Sequence, residues 1–137
     1  ADRGRHSIPY ALYPHTGGWQ DANSQLRGRE YNDPVMVVKA NGHAGRLGKR
    51  HSFFAAGADN VVVSTIKRSE DGEGFVMRLV ETEGRDSKAV IEFTAKPKKV
   101  IETNLVEREL GELPLPKETT LAVPLGHYEI KSIKLVF

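Results

Sequence analysis

The feature that most constrains the fold of this chain is the alternation of its apolar residues. Segment 7–12 places Ile8, Tyr10 and Leu12 at every second position, and segment 75–81 repeats the pattern. Because successive side chains of a β strand point to opposite faces, this period predicts strands. Runs rich in Val, Ile, Thr and Phe, which favour pleated and half-buried surfaces, predict further strands. They lie at 35–40, 52–56, 61–67, 89–95, 100–106, 120–125 and 128–137.

Short polar links that contain glycine separate several of these segments. Link 70–74 predicts a hairpin, because glycine adopts positive φ without strain, and link 83–86 is expected to do the same before the next strand. Pro97, Pro114 and Pro116 mark loops, since proline cannot donate to a central ladder. Short strands joined by turns predict an antiparallel β sandwich rather than a parallel sheet, which requires helical crossovers.

One segment, 20–31, has the periodicity of a helix. Trp19, Ala22 and Leu26 follow an i, i+3, i+7 spacing, although Gly28 weakens the helix and Pro34 ends it. The predicted fold class is therefore all-β, with at most one short helix.

A boundary is predicted in segment 41–50, which carries three glycines among basic residues. The 137 residues suffice for about one ordinary domain, at roughly 150 residues each. The chain also starts at Ala1, without an initiator methionine or an apolar leader, which favours an excised piece of a longer protein. We therefore expect part of one domain at 1–44 and a complete small domain at 45–137.

Composition excludes several classes of function. The absence of cysteine excludes disulfides, thiol nucleophiles and cysteine-bound zinc. Twenty basic against eighteen acidic residues leave a net charge of +2, so no strong field attracts nucleic acid or an anionic membrane. No apolar run approaches the roughly 20 residues that span a bilayer. Because cysteine and Asn-x-Ser/Thr acceptors are both missing, a cytoplasmic location is favoured.

The residues themselves predict no catalytic centre and no metal site. Five histidines, at positions 6, 15, 43, 51 and 127, form no His-x-x-x-His pair. Catalytic zinc needs three converging protein ligands, so histidines in surface loops explain this distribution better.

The segment around Tyr13 is the richest in aromatic residues. Tyr13, His15 and Trp19 lie beside two glycines. Aromatic faces stack on sugar rings and histidine binds hydroxyl groups, so these three residues are candidates for carbohydrate binding. The alternative is that the aromatic side chains simply pack around a tight turn.

Arg78 and Glu81 are charged residues inside an apolar strand. A spacing of three places them on opposite faces, so they form no joint site within that strand. A structural or interface role is predicted for both, with each forming an ion pair to another strand.

Several motifs resemble α-mannosidases of glycoside hydrolase family 38. Segment 8–19, IPYALYPHTGGW, resembles the tyrosine-rich motif near the end of the large β domain in that family, and 32–35 resembles the element that follows. Segments 62–71 and 77–84 resemble its lysine-acid hairpin and its arginine-glutamate strand. Segment 128–135, YEIKSIKL, resembles its terminal strand. The similarity covers almost the whole chain in the correct order.

The resemblance implies that residues 1–44 are the last strands of a galactose-mutarotase-like supersandwich and that 45–137 form the small C-terminal sandwich. Members of the family hydrolyse α-mannosides with retention, using zinc and an aspartate in an N-terminal domain that no segment here matches. No catalytic or metal-binding residue is therefore carried over, and the chain alone is expected to be inactive.

Two hypotheses about function follow. In the first, the chain braces the catalytic domain of a zinc-dependent α-mannosidase and contributes to the wall of its substrate cleft. Its partners are then the rest of the polypeptide and α-mannosides, and the isolated chain self-associates through exposed strand edges. In the second, the chain is an autonomous carbohydrate-binding β-sandwich module.

Overall fold

The computed structural model describes residues 3–115 and 118–137, so Pro116 lies outside the described residues. The chain divides into two compact units, Ala1–Ala44 and Gly45–Phe137. Within the described ranges, no helix is both long and apolar enough to cross a membrane.

The second unit is an antiparallel β sandwich. Its strands are β1 Phe54–Ala56, β2 Val61–Arg68, β3 Phe75–Glu81, β4 Ser87–Phe93, β5 Lys99–Thr103, β6 Glu109–Glu112, β7 Thr120–Leu125 and β8 Ile130–Val136. One sheet has the order β1-β4-β7 and the other the order β2-β3-β8-β5-β6. Every pairing between neighbouring strands is antiparallel. The predicted fold class is confirmed.

Both sheets contribute alternate residues to one apolar core. In β7, for example, Leu121, Val123 and Leu125 are buried while the residues between them are exposed. The buried core consists of Val61, Met77, Leu79, Ala89, Ile91, Phe93, Val100, Leu121, Val123, Leu125, Ile133 and Leu135. Each fully buried aliphatic side chain contributes about 1.5–3 kcal/mol, which makes this core the main source of stability.

The predicted hairpin at 70–74 joins β2 to β3 and is confirmed. Ser69 closes it: its N–H donates to the carbonyl of Gly74 at 2.9 Å, and its hydroxyl accepts the N–H of Gly74 at 2.9 Å. Gly72 has a φ of 77°, which explains the glycine in this turn.

The hairpin expected at 83–86 is wrong. That turn leads from β3 in one sheet to β4 in the other, because both neighbours of β3 are already taken by β2 and β8. Strand β6 was not predicted either. All four of its residues are exposed, so it lacks the apolar period that reveals a strand.

In its described residues, 3–44, the first unit contains one helix, α1, at Ser24–Asn32. The short helix expected there is confirmed, and it ends before Pro34. In the described residues of this unit, the strands predicted at 7–12 and 35–40 are not formed. A strand needs a hydrogen-bonded neighbour, and Val35–Val38 remain 84–94% exposed. The assignment of this unit to the end of a larger β domain stays a prediction.

Candidate functional site

The first unit brings two of the three carbohydrate-binding candidates together. The rings of Tyr13 and His15 lie 5.5 Å apart, centroid to centroid. The Tyr13 hydroxyl donates to the carbonyl of Ala22 at 3.2 Å, and His15 Nε2 lies 3.5 Å from the hydroxyl oxygen of Ser24. Trp19 joins the same turn through its carbonyl, which accepts the N–H of Ser24 at 3.0 Å. Its side chain is 39% exposed and forms no ring contact with the other two in the described residues.

The turn between His15 and α1 depends on a glycine pair and one carboxylate. Gly17 has a φ of 73°, and a Cβ atom there would lie 2.9 Å from Oδ2 of Asp21. The same Oδ2 accepts the N–H of Gly18 at 2.9 Å. This local sequence therefore fixes a tight turn, which positions the segment of Tyr13 and His15 beside the start of α1.

A cleft of about 570 Å³ lies between segment 9–13 and α1. The helix contributes Ser24, Arg27, Gly28, Tyr31 and Asn32. These first four residues are spaced i, i+3, i+4 and i+7, so they share one face of α1. The opposite wall is formed by Pro9, Tyr10, Ala11, Leu12 and Tyr13.

Sequence reasoning missed Tyr31, Arg27 and Gly28 as site residues. The i, i+3, i+4, i+7 spacing was the signal that could have found them, because it places polar and aromatic groups on a single helix face. Of the predicted candidates, only Tyr13 lines the cleft; His15 and Trp19 lie outside its lining.

A metal site requires several histidine, aspartate or glutamate side chains close together. Within residues 3–115 and 118–137, no three or more histidine, aspartate or glutamate side chains are grouped so that they could hold a metal. The described residues therefore offer no grouping that would hold a zinc ion. Zinc dependence stays a prediction about residues outside this chain.

Glu81, at the end of β3, is buried to 1% exposure. Its Oε1 accepts hydrogen bonds from the amide of Asn60 at 2.7 Å and from the N–H of Glu83 at 2.8 Å. Its Oε2 accepts the N–H groups of Gly84 at 2.8 Å, Arg85 at 3.3 Å and Tyr128 at 2.7 Å. One carboxylate thus joins the loop before β2, the β3–β4 turn and the β7–β8 turn.

The hydrogen bonds to Glu81 decide its charge state. Burial by itself raises the pKa of this carboxyl, but the N–H groups of Tyr128, Glu83 and Gly84 and the Asn60 amide outweigh that effect and lower the pKa to about 2. Glu81 is therefore ionised at neutral pH. The ion pair predicted for Glu81 is wrong, since no lysine or arginine in the described residues pairs with it and backbone donors supply the compensation.

Arg78 also forms hydrogen bonds instead of the predicted ion pair. Its Nε donates to the hydroxyl of Ser132 on the neighbouring strand β8 at 3.2 Å. Its Nη2 donates to the carbonyl of Leu105 at 3.2 Å, which ties the β5–β6 loop across the sheet. The side chain therefore has a structural contact, and a carboxylate partner is absent among the described residues.

A charged cluster lies on the same sheet, around Lys134. This lysine is 3% exposed and forms ion pairs with Asp71, with Glu73 at 3.7 Å and with Glu109 at 3.5 Å. Its hydrogen bond to Asp71 raises the pKa of Lys134 and lowers that of Asp71. The cluster connects the β2–β3 hairpin with β8 and β6. It could not be read from the sequence, because it depends on strand register.

An apolar groove of about 420 Å³ lies at one end of the sandwich. It is lined by Phe53, Phe54, Phe75, Thr94, Ala95 and Phe137. The rings of Phe54 and Phe75 lie 6.3 and 6.4 Å from that of Phe137. Phe53 is 60% exposed and Phe75 44%, so a substantial aromatic surface faces outward.

Two antiparallel sheets packed over one core define a β-sandwich domain, here preceded by a short helical unit. Residues 60–133 match the family described as Glycosyl hydrolases family 38 C-terminal beta sandwich domain. The chain belongs to this family, which confirms the resemblance drawn from its motifs.

The chain is similar to α-mannosidases over nearly its whole length. Alpha-mannosidase 2C1 of Homo sapiens is 29% identical over 141 residues, covering 99% of this chain and 13% of that protein. Alpha-mannosidase G of Dictyostelium discoideum is 26% identical, covering 98% of this chain and again 13% of the relative. The chain thus spans about an eighth of the length of these relatives.

Proposed function

We propose that this chain is the non-catalytic C-terminal β portion of an α-mannosidase, whose remaining polypeptide hydrolyses α-mannosidic bonds with retention and with zinc. The supporting observation is the match of 98–99% of the chain to only 13% of α-mannosidases from two distant organisms. The reacting groups then belong to the longer polypeptide, and a cytoplasmic location is part of the same proposal.

The apolar groove lined by Phe53, Phe54, Phe75 and Phe137 supports a bracing role for the sandwich. Its lining is mostly phenylalanine, and an exposed aromatic groove of this kind is typical of an interaction surface. Because the relatives extend far beyond the matched part, the occupant we assign to the groove is an apolar segment of the same, longer polypeptide. A segment bound there would cover the phenylalanine rings that are exposed in the isolated chain.

The alternative of an autonomous carbohydrate-binding sandwich is less well supported. Tyr13, His15 and Trp19 lie in the first unit, whereas the sandwich comprises Gly45–Phe137. A sugar-binding sandwich would have to present these three residues from its own strands or loops. Any contact of α-mannosides with this chain is therefore better sought in the first unit.

The proposed function predicts that the purified chain has no glycosidase activity. Incubated with zinc and an aryl α-mannoside, it should release no aryl alcohol above the rate of buffer alone, measured by absorbance. The same sequence expressed together with the upstream part of its polypeptide should hydrolyse the substrate. Zinc-dependent turnover by the isolated chain would contradict the proposal.

The groove predicts that the isolated chain self-associates, because a second copy takes the place of the missing segment. Sedimentation velocity should show a weight-average mass that rises with concentration. Phe53→Ser combined with Phe75→Ser should reduce this rise, since both substitutions place hydroxyls in the groove. Val106→Ser, at an exposed position outside it, is the matched control and should behave like the unchanged chain. A chain that stays monomeric at high concentration would refute this role of the groove.

A further inference from the structure

We infer that the cleft between segment 9–13 and α1 binds one pyranose ring of a mannoside. The choice of mannose rests on the proposed function; the choice of a sugar rests on the lining of the cleft. The volume of about 570 Å³ lies within the range of roughly 300–1,000 Å³ that is common for small-molecule sites.

The aromatic lining suits the apolar face of a sugar ring. Tyr10, Tyr13 and Tyr31 come from both walls of the cleft. The hydroxyl of Tyr13 is held by the carbonyl of Ala22, which fixes its ring as a wall. Tyrosine combines a flat apolar face with a polar tip, so it stacks on C–H groups of a pyranose and also reaches hydroxyls.

The polar lining suits the hydroxyl groups of a sugar. Arg27 lines the cleft, and its Nη1 is paired with Glu30 Oε2 at 2.5 Å. Guanidinium carries five N–H donors in a planar fork, so further donors remain for two adjacent hydroxyls. Asn32 is fixed through its Nδ2, which donates to the carbonyl of Gly28 at 2.9 Å. The cleft therefore offers donors and acceptors beside its aromatic rings.

Gly28 provides an independent observation. It lies inside α1 on the face that lines the cleft, where glycine is less favourable than alanine. A Cβ atom built there would meet no other atom within 4 Å, so packing within the protein does not require glycine. A glycine that the protein's own packing does not require leaves the backbone open to close approach by a ligand.

Calorimetric titration of the chain with methyl α-mannoside tests the inference. We expect binding in the millimolar range, weakened at least fivefold by Gly28→Ala and at least tenfold by Tyr31→Ala. Gly28→Ala should fold as well as the unchanged chain, because alanine favours the helix and meets no neighbour. Tyr31→Phe keeps the ring and should lose less affinity than Tyr31→Ala. Circular dichroism verifies that each variant is folded.

Trp19→Ala is the control, since this exposed aromatic residue belongs to the same unit but does not line the cleft. It should change the affinity less than twofold. Absence of binding heat would overturn the inference, and so would binding that Gly28→Ala and Tyr31→Ala leave intact. Loss of affinity in Trp19→Ala alone would also overturn the inference, because it would place the sugar on the exposed side chain of Trp19, outside the cleft. Failure of this inference can be distinguished from failure of the proposed function, which glycosidase turnover by the isolated chain would contradict.

Discussion

Glu81→Gln is expected to lower the free energy of unfolding of the sandwich by about 2–3 kcal/mol at neutral pH. Both carboxylate oxygens act only as acceptors: Oε1 for Asn60 and Glu83, and Oε2 for Gly84, Arg85 and Tyr128. An amide replaces one acceptor by a donor, so either orientation leaves buried N–H groups facing an NH₂ group. The substitution therefore lowers the free energy of unfolding by removing hydrogen bonds, while the volume of the side chain is nearly unchanged.

The pH dependence of this effect follows from the lowered pKa. The folded state holds Glu81 at a pKa of about 2, against 4.5 for an unperturbed glutamate. Between these values the unfolded chain binds more protons, so the contribution of Glu81 is present above pH 4.5 and is lost as the pH falls towards 2. The difference between Glu81→Gln and the unchanged chain should accordingly shrink over that window. The Glu81→Gln variant should still lose stability in acid, because the pKa values of three other carboxyl groups are also lowered: those of Asp71, Glu107 and Glu129.

Urea unfolding followed by circular dichroism at pH 7, 5 and 3 measures this prediction. Glu92→Gln is the matched control, because Glu92 is an exposed glutamate of strand β4. It should change the free energy of unfolding by less than about 0.5 kcal/mol. Equal effects of the two substitutions would show that Glu81 does not act as a buried acceptor.

Gly74→Ala is expected to destabilise the sandwich by about 3 kcal/mol, through overpacking. A Cβ atom at this position would overlap the carbonyl oxygen of Leu135 and lie 3.1 Å from its carbonyl carbon. Both atoms belong to the backbone of β8, which is held between β3 and β5. The strand cannot move aside without breaking its ladders. Gly74 is thus required because its backbone lies so close to that of β8 that only a hydrogen atom fits at the Cβ position.

Thermal unfolding compares this variant with Gly111→Ala. Gly111 lies in the exposed strand β6, and a Cβ atom there meets nothing within 4 Å. Gly111→Ala should leave the midpoint of unfolding almost unchanged, whereas Gly74→Ala should lower it by several degrees or more. A Gly74→Ala chain as stable as the control would mean that the hairpin and β8 are not packed as described.

These two sites lie near the ends of one strand, and their positions bear on the proposed function. Strand β3 runs from Phe75, which lines the apolar groove, to Glu81, which joins three loops. At roughly 3.3 Å per residue the two ends are about 20 Å apart. The groove and the buried carboxylate of Glu81 therefore lie at opposite ends of β3. In the proposed function, the groove at the Phe75 end is the surface that contacts the longer polypeptide.

The strand pattern was predictable because it depends on local chemistry. Segments 75–81 and 120–125 coincide with β3 and β7, since alternation and β-branched composition define a half-buried strand without further information. The hairpin at 70–74 followed from its glycines. The turn at 83–86 has a similar composition, yet it crosses between sheets. The composition of a segment predicts that the chain turns there, but it does not predict which strand the next strand will pair with.

The candidate sites were likewise predictable only where their residues are neighbours in the sequence. Tyr13 and His15 were found because they lie close together in the sequence, whereas the cleft also needs Arg27 and Tyr31 from a helix face. The charge of Glu81 was visible in an apolar strand, and an ion pair was the ordinary expectation. Its actual partners are mostly backbone N–H groups from two turns, which no side-chain pattern reveals.

The sequence alone determined that the chain is built of short antiparallel strands, and its motifs identified the family. Those properties depend on periodicity and on the order of neighbouring residues. Only the tertiary structure decided that β4 leaves the sheet of β3, that Lys134 meets Asp71 across strands, and that Gly74 touches β8. These contacts join residues as many as 63 positions apart, so they depend on sheet order and register. Which strands become neighbours is settled by burial of the whole core, and local sequence does not carry that information.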